Sequence, residues 1–286
     1  MWILFAFSSA FFAGITAILS KIGIKNTDSH LATAIRTLVV CFFAWILVFI
    51  TKGYTGIRSI DPKTLFFLTC SGLSTGASWI CYFKALQLSD VNKVTPIDKS
   101  STLLTILLSA LFLGESITLL KGISIVLIGF GTFLMIEKKE ITETSASQKS
   151  WFIYAVLSAI FASLTAILGK VGIHNIDSNL GTAIRTIVIL ILAWAIVLFQ
   201  KKLSSIKEID KKSWLFLFLS GLSTGLSWMS YYKALQQGKA SIVVPIDKLS
   251  ILITFFFAWI ILKEKVSAKS LLGLLLLTGG TLLLLF

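Results

Sequence analysis

Two short motifs carry most of the chemistry this chain can do: Pro96-Ile97-Asp98-Lys99 and Pro245-Ile246-Asp247-Lys248. Both lie inside segments read as membrane helices, 91–113 and 240–262. Proline removes a backbone donor and clashes with the carbonyl four residues earlier, so a helix is disturbed just where the charges follow. Inside a bilayer an ionisable side chain costs at least about 2.5–3.5 kcal/mol at the helix centre. Charges kept there serve a solute or a coupling ion. A plainer reading makes Thr95 an N-cap, Pro96 the first helical residue and Asp98 the acid of a capping box. Against it, Val244 replaces Thr95 in the second copy while Pro-Ile-Asp-Lys is kept.

Other ionisable residues recur in the same paired way. Arg36 and Arg185 sit in ATAIRT and GTAIRT; they join a charge network or snorkel to lipid headgroups. Lys84 and Lys233, in FKALQ and YKALQ, are placed to pair with Asp98 and Asp247 across a short turn. Lys21 and Lys170 read as interfacial anchors. Glu115 and Glu264 read as structural, bonding backbone or an interfacial lysine. Arg36, Lys84, Asp98 and Lys99 leave a positive surplus, repeated in Arg185, Lys233, Asp247 and Lys248. That surplus favours an anionic or zwitterionic solute, gripped through a carboxylate or phosphate, with Lys99 and Lys248 in contact with it. Trp79, Tyr82, Trp228 and Tyr231 either enclose the apolar part of the solute or belong to interfacial belts. Gly72 and Gly76, and Gly221 and Gly225, are spaced four apart in SGLSTG, a pattern that brings helix backbones close.

No nucleophile–base–acid set, metal-ligand cluster or phosphate-cradling glycine loop is present, so neither an enzyme nor a cofactor is expected. Cys41, Cys70 and Cys81 lie singly in apolar runs and read as small buried hydrophobes. The net charge of +13 does not point to nucleic acid, because Lys and Arg cluster at the ends of apolar runs, facing anionic lipid.

The elements that position these residues must be membrane helices. Hydrophobic residues make up 56% of the 286 and charged residues only 14%, too little polar surface for a water-soluble body. Ten apolar segments, roughly 2–24, 31–51, 64–88, 91–113, 118–136, 151–173, 180–200, 213–237, 240–262 and 267–286, all exceed strand length. The polar run 137–150, EKKEITETSASQKS, reads as a linker.

The halves are copies. TAILSKIGIKNTDSHLATAIRT recurs as TAILGKVGIHNIDSNLGTAIRT, and SGLSTGASWICYFKALQ as SGLSTGLSWMSYYKALQ, in one register of 149 residues without a gap. The expected organisation is a first five-helix repeat over 1–140, a linker over 141–150 and a second repeat over 151–286. Five is odd, so the second half enters from the other side of the membrane. The fold class is all-α integral membrane, with ten transmembrane helices as two inverted repeats, an architecture of secondary transporters.

In each half a proline stands about one helix-length before a Leu-Gly-Glu-like turn: Pro96 before LGE at 113–115 and Pro245 before LKE at 262–264. In this the chain resembles the EamA family of the drug/metabolite transporter superfamily over nearly its whole length. The resemblance implies a transporter of small metabolites, often an exporter, with a cavity between helices 1, 3, 4 and their counterparts 6, 8, 9. The expected function is a secondary active exporter of an anionic or zwitterionic solute such as an amino acid. The alternative is a passive pore or a flippase for lipid or lipid precursors. The expected partners are the small-molecule substrate, the lipid bilayer and coupling protons, without nucleic acid, in a monomer or homodimer. The expected location is the bacterial inner (plasma) membrane. Charged loops opposite the termini hold most of the lysines, among them Lys138, Lys139, Lys201, Lys202, Lys211 and Lys212, so the positive-inside rule puts both termini outside the cytoplasm. The resemblance implies the opposite orientation.

Overall fold

The structure, a computed structural model, describes residues 1–25, 27–135, 145–261, 263 and 267–286, with 92 and 145–149 described by backbone alone. Its helices are α1 (Trp2–Gly23), α2 (Ser29–Ile50), α3 (Pro62–Leu88), α4 (Val91–Lys99), α5 (Ser101–Leu113), α6 (Leu119–Met135), α7 (Ser145–Gly172), α8 (Ser178–Phe199), α9 (Lys211–Gln237), α10 (Ala240–Lys248), α11 (Ser250–Ile261) and α12 (Ala268–Leu283). No strand occurs among the described residues. Single helices, or α4 with α5 and α10 with α11, form seven spans long and apolar enough to cross a membrane. The shorter apolar α6 and α12 and the hydroxyl-rich α9 fill the remaining places of the two five-helix repeats.

The helix starts follow from local chemistry. Asp28 caps α2 by accepting from His30 N at 3.0 Å and Leu31 N at 3.2 Å, and its repeat partner Asp177 caps α8 through Asn179 N and Leu180 N. Asp61 and Asp210 cap α3 and α9 in the same way. Burial alone would raise the Asp28 carboxyl, but its bond to Lys202 and its Leu31 contact outweigh that and hold it below the usual aspartate value.

The fourth and ninth segments are not continuous helices. Each is broken into two, after Lys99 and after Lys248. Pro96 and Pro245 lie inside α4 and α10. The chain then turns at Ser100, whose N–H donates to the carbonyls of Pro96 and Ile97, and at Leu249, whose N–H donates to Ile246. The capping-box reading therefore fails: α4 begins at Val91, with Asp90 at its N-cap, and Pro96 is not a first helical residue. Of the expected linker, 141–144 lies outside the described residues, and 145–150 forms the start of α7.

The main helix pairings join the two repeats. α1 lies on α9, α3 on α7, α2 on α8 and α6 on α12. Glycines bring two further crossings between the repeats close, α3 on α8 and α9 on α2. A Cβ at Gly72 would lie 3.0 Å from the Arg185 carbonyl on α8, and one at Gly221 would lie 3.1 Å from the Arg36 carbonyl on α2. Gly76 and Gly225 seat Leu192 and Phe43 in the same two seams. The closest approach is between α6 and α12, where a Cβ on Gly131 would lie 2.6 Å from the Gly273 carbonyl. With no hydrophobic drive between helices in lipid, close packing of this kind holds them together.

Loop contacts agree with inversion. Lys202, after α8, bonds Asp28, before α2. At the other end Asn179 Nδ2 donates to Thr51 Oγ1 at 3.4 Å. Each contact brings a loop of one repeat to the non-equivalent loop of the other, as a second half entering from the opposite side requires. The charge rule predicts the absolute orientation: a reporter fused after Phe286 is expected to be active only outside the cytoplasm. A cytoplasmic reporter signal would reverse the orientation and leave the inverted relation intact.

Candidate functional site

A cavity of about 190 Å³ opens between the repeats near the middle of the bundle. Of the predicted residues it collects Trp79, Tyr82, Asp98 and Lys99 from the first repeat and Trp228, Tyr231, Asp247 and Lys248 from the second, together with Arg36. Arg185, Lys84 and Lys233 are not in its lining.

The broken helices place the motif charges. α4 and α10 end at Lys99 and Lys248, so both lysines stand at the negative end of a short helix, where a cation is favoured. Each aspartate is held from the other repeat. Ser158 Oγ on α7 donates to Asp98 Oδ1 at 2.8 Å, and Ser9 Oγ on α1 donates to Asp247 Oδ1 at 2.5 Å. Lys99 Nζ donates to Ser250 Oγ at 2.9 Å and lies within electrostatic reach of Lys248, Asp98 and Asp247. The ion pairs among the described residues are Lys93–Asp90 and Lys202–Asp28, both at helix ends, so none joins the charges of the cavity.

The expected pairing of Lys84 with Asp98 and of Lys233 with Asp247 is absent. Serines from the opposite repeat occupy the aspartates, and Lys84 lies toward His30 instead. The arginines do not snorkel. Arg36 is 1% exposed and Arg185 0%. Arg36 Nε and Nη2 donate to Ser220 Oγ at 2.6 Å and Thr224 Oγ1 at 2.9 Å on α9. Arg185 does the same to Ser71 at 2.9 Å and Thr75 at 2.7 Å on α3. Each guanidinium also lies over aromatic rings: Arg36 over Phe83 and Trp79, and Arg185 over Tyr232 and Trp228. Hydroxyls and ring faces supply what a headgroup would, so the cations stay deep.

Lys21 and Lys170 are C-caps rather than lipid anchors. Lys21 Nζ donates to the Leu86 and Ser89 carbonyls at the end of α3, and Lys170 Nζ to those of Leu235 and Gly238 after α9. Glu115 accepts from Ala240 N at 2.8 Å and Ser241 N at 3.0 Å, capping α10 of the other repeat. Its counterpart Glu264 lies outside the described residues. Cys41, Cys70 and Cys81 are unpaired and half-buried, rather than sealed in the core.

Trp79 and Trp228 meet with centroids 4.8 Å apart and planes at 45°, so these repeat-related rings touch across the interface inside the cavity, not at a membrane boundary. Several site residues escaped the sequence reading: Ser9, Ser158 and the hydroxyls at 71, 75, 220 and 224 that hold the arginines. Their signal was present, since each serine or threonine recurs 149 residues on, but nothing in a sequence tells which recurring hydroxyl faces a charge.

An apolar helical body of two interlocked repeats around a charge-lined central cavity defines a multi-pass membrane transporter. The chain belongs to the EamA-like transporter family, whose profile matches residues 1–137 and again 149–286. It is 46% identical over 136 residues to an uncharacterized transporter in the cobO 3' region of Sinorhizobium sp., covering 48% of this chain and 96% of that one. It is 24% identical over 228 residues to the uncharacterized transporter YxxF of Bacillus subtilis, covering 77% of this chain and 70% of that one. A crystal structure of a protein with 14% identity superposes with a TM-score of 0.75 over 99% of this chain and 96% of its own, sharing the fold. The two named relatives are bacterial, in keeping with a bacterial inner-membrane location.

Proposed function

We propose that this transporter is secondary active and exports small anionic or zwitterionic metabolites of amino-acid type. One observation carries the reading. The charged groups lining the cavity are Arg36, Lys99 and Lys248 against Asp98 and Asp247, and no ion pair ties the cations to the acids. Three cations thus face two acids, and an interior positive charge in excess of the acids around it is expensive. A solute carboxylate offsets that charge, while Trp79, Tyr82, Trp228 and Tyr231 accept its apolar remainder. Export follows the habit of the family, and the aspartates are the proposed coupling groups.

The test is Lys99→Gln with Lys248→Gln, purified, checked for folding and reconstituted. Loss of a charge-assisted bond is expected to raise the half-saturation for an amino-acid substrate by about tenfold or more. Unchanged half-saturation, or a preference for organic cations, would sink the anionic reading. Downhill flux that no ion gradient drives would favour the pore or flippase alternative. The substrate panel is best narrowed first by thermal stabilisation, because selective binding raises apparent stability.

A further inference from the structure

Arg36 Nη1 and Arg185 Nη1 are buried and have no hydrogen-bond partner among the described residues. Nε and Nη2 of each fork are bonded to hydroxyls and aromatic rings lie against it, with the Tyr232 hydroxyl also beside Arg185, so each arginine keeps one nitrogen, Nη1, that meets no acceptor. Leaving such a charged donor dry is costly, and an anionic oxygen removes the cost.

The two donors lie at different depths. α2 starts on the face opposite the termini and α8 on the termini's own face. Arg36 and Arg185 each sit about two turns in, roughly 10 Å from opposite faces. Between them stand Trp79, stacked beneath Arg36, and Trp228, stacked beneath Arg185, in mutual contact. The cavity is lined by Arg36 and not by Arg185. The lysines break symmetry too. Lys99 bonds Ser250, whereas the equivalent hydroxyl of Ser101 is buried without a partner.

We infer that Arg36 and Arg185 are alternate docking points for the same anionic group of one solute. The group is held by Arg36 Nη1 while the cavity communicates with the face opposite the termini. It passes the Trp79–Trp228 contact and is held by Arg185 Nη1 when the cavity communicates with the termini's face. Lys248 then takes Ser101 as Lys99 gives up Ser250. The two points are unequal, because Tyr232 brings a hydroxyl beside Arg185 and Ser71 where the repeat-related Phe83 brings none. This inference rests on the anionic or zwitterionic solute proposed above.

The test measures exchange of phenylalanine and of glutamate in proteoliposomes of known orientation, with half-saturation taken separately at each face. Arg36→Lys keeps the buried charge but replaces a planar fork with a point charge. It is expected to raise half-saturation by about tenfold at the face opposite the termini and by less than about threefold at the other. Arg185→Lys is expected to show the reverse. Equal effects at both faces from either variant would overturn the handover while leaving anion transport standing. If the unmodified protein exchanges neither amino acid, the proposed substrate class fails and the handover with it. Should the lysine variants misfold, Ser220→Ala with Thr224→Val loosens Arg36 without removing it. The same face-specific rise, smaller in size, is expected, and a rise shared by both faces would again overturn the handover.

Discussion

Asp98→Asn and Asp247→Asn are each expected to abolish concentrative transport, so that the solute ratio falls to that of equal concentrations on both sides. Asparagine has the shape of aspartate and keeps an oxygen able to accept from Ser158 or Ser9, the bonds seen at 2.8 and 2.5 Å. The fold is therefore retained and only the charge is lost. The aspartates are the acids of the cavity, each set against a lysine next to it in sequence and the charges of the other repeat. In the proposed coupling step, the change of protonation state or of ionic partner passes through them. Counterflow, which needs binding and reorientation but no net proton movement, is expected to survive. Uptake and counterflow measured on the same reconstituted sample separate the two. Full gradient-driven accumulation in both variants would remove the aspartates from the mechanism.

Gly131→Leu is expected to be the most destabilising of single substitutions away from the cavity. A Cβ there would lie 2.6 Å from the Gly273 carbonyl and 2.7 Å from the Leu277 nitrogen, both backbone atoms that cannot swing aside. α6 and α12 must separate, undoing the packing of Ile128, Met135 and Leu277 in the same cluster. Overpacking typically costs about 1–3 kcal/mol, and here the loss reaches a whole seam. The measurement is the apparent melting temperature in detergent, with Gly122→Leu as control, since that position has nothing within 4 Å of a new Cβ. Equal melting temperatures for the two variants would show that the seam does not matter.

The helices, the repeat and the inverted arrangement were readable because each is a pattern along one dimension: apolar length, a constant 149-residue register, an odd helix number. The cavity charges at 98, 99, 247 and 248 were readable for the same reason, as ionisable residues beside a proline in an apolar run. Which group meets which was not readable. Lys84 lies one helical hairpin from Asp98, so proximity along the chain suggested a pair. The aspartate instead takes Ser158 from the far half. Arg36 looked close enough to a helix end to snorkel, and only the placement of Ser220 and Thr224 on α9 explains why it does not. Such bonds depend on which repeat packs on which, and a duplicated sequence is silent on that, since every partner has a copy in either half.

The crosswise pairing of the repeats sets a timetable for synthesis. α1 rests on α9, and Arg36 finds its hydroxyls there. With chain growth at about 5–20 residues per second, the roughly two hundred residues between α1 and α9 take on the order of 10–40 s to emerge. For that interval the first half is in the bilayer with its serine-rich faces and a bare guanidinium turned toward lipid, insertion machinery or another nascent copy. The delay follows from the crosswise pairing itself and not from any weakness of the finished bundle. Slowing translation between α6 and α9 would lengthen it.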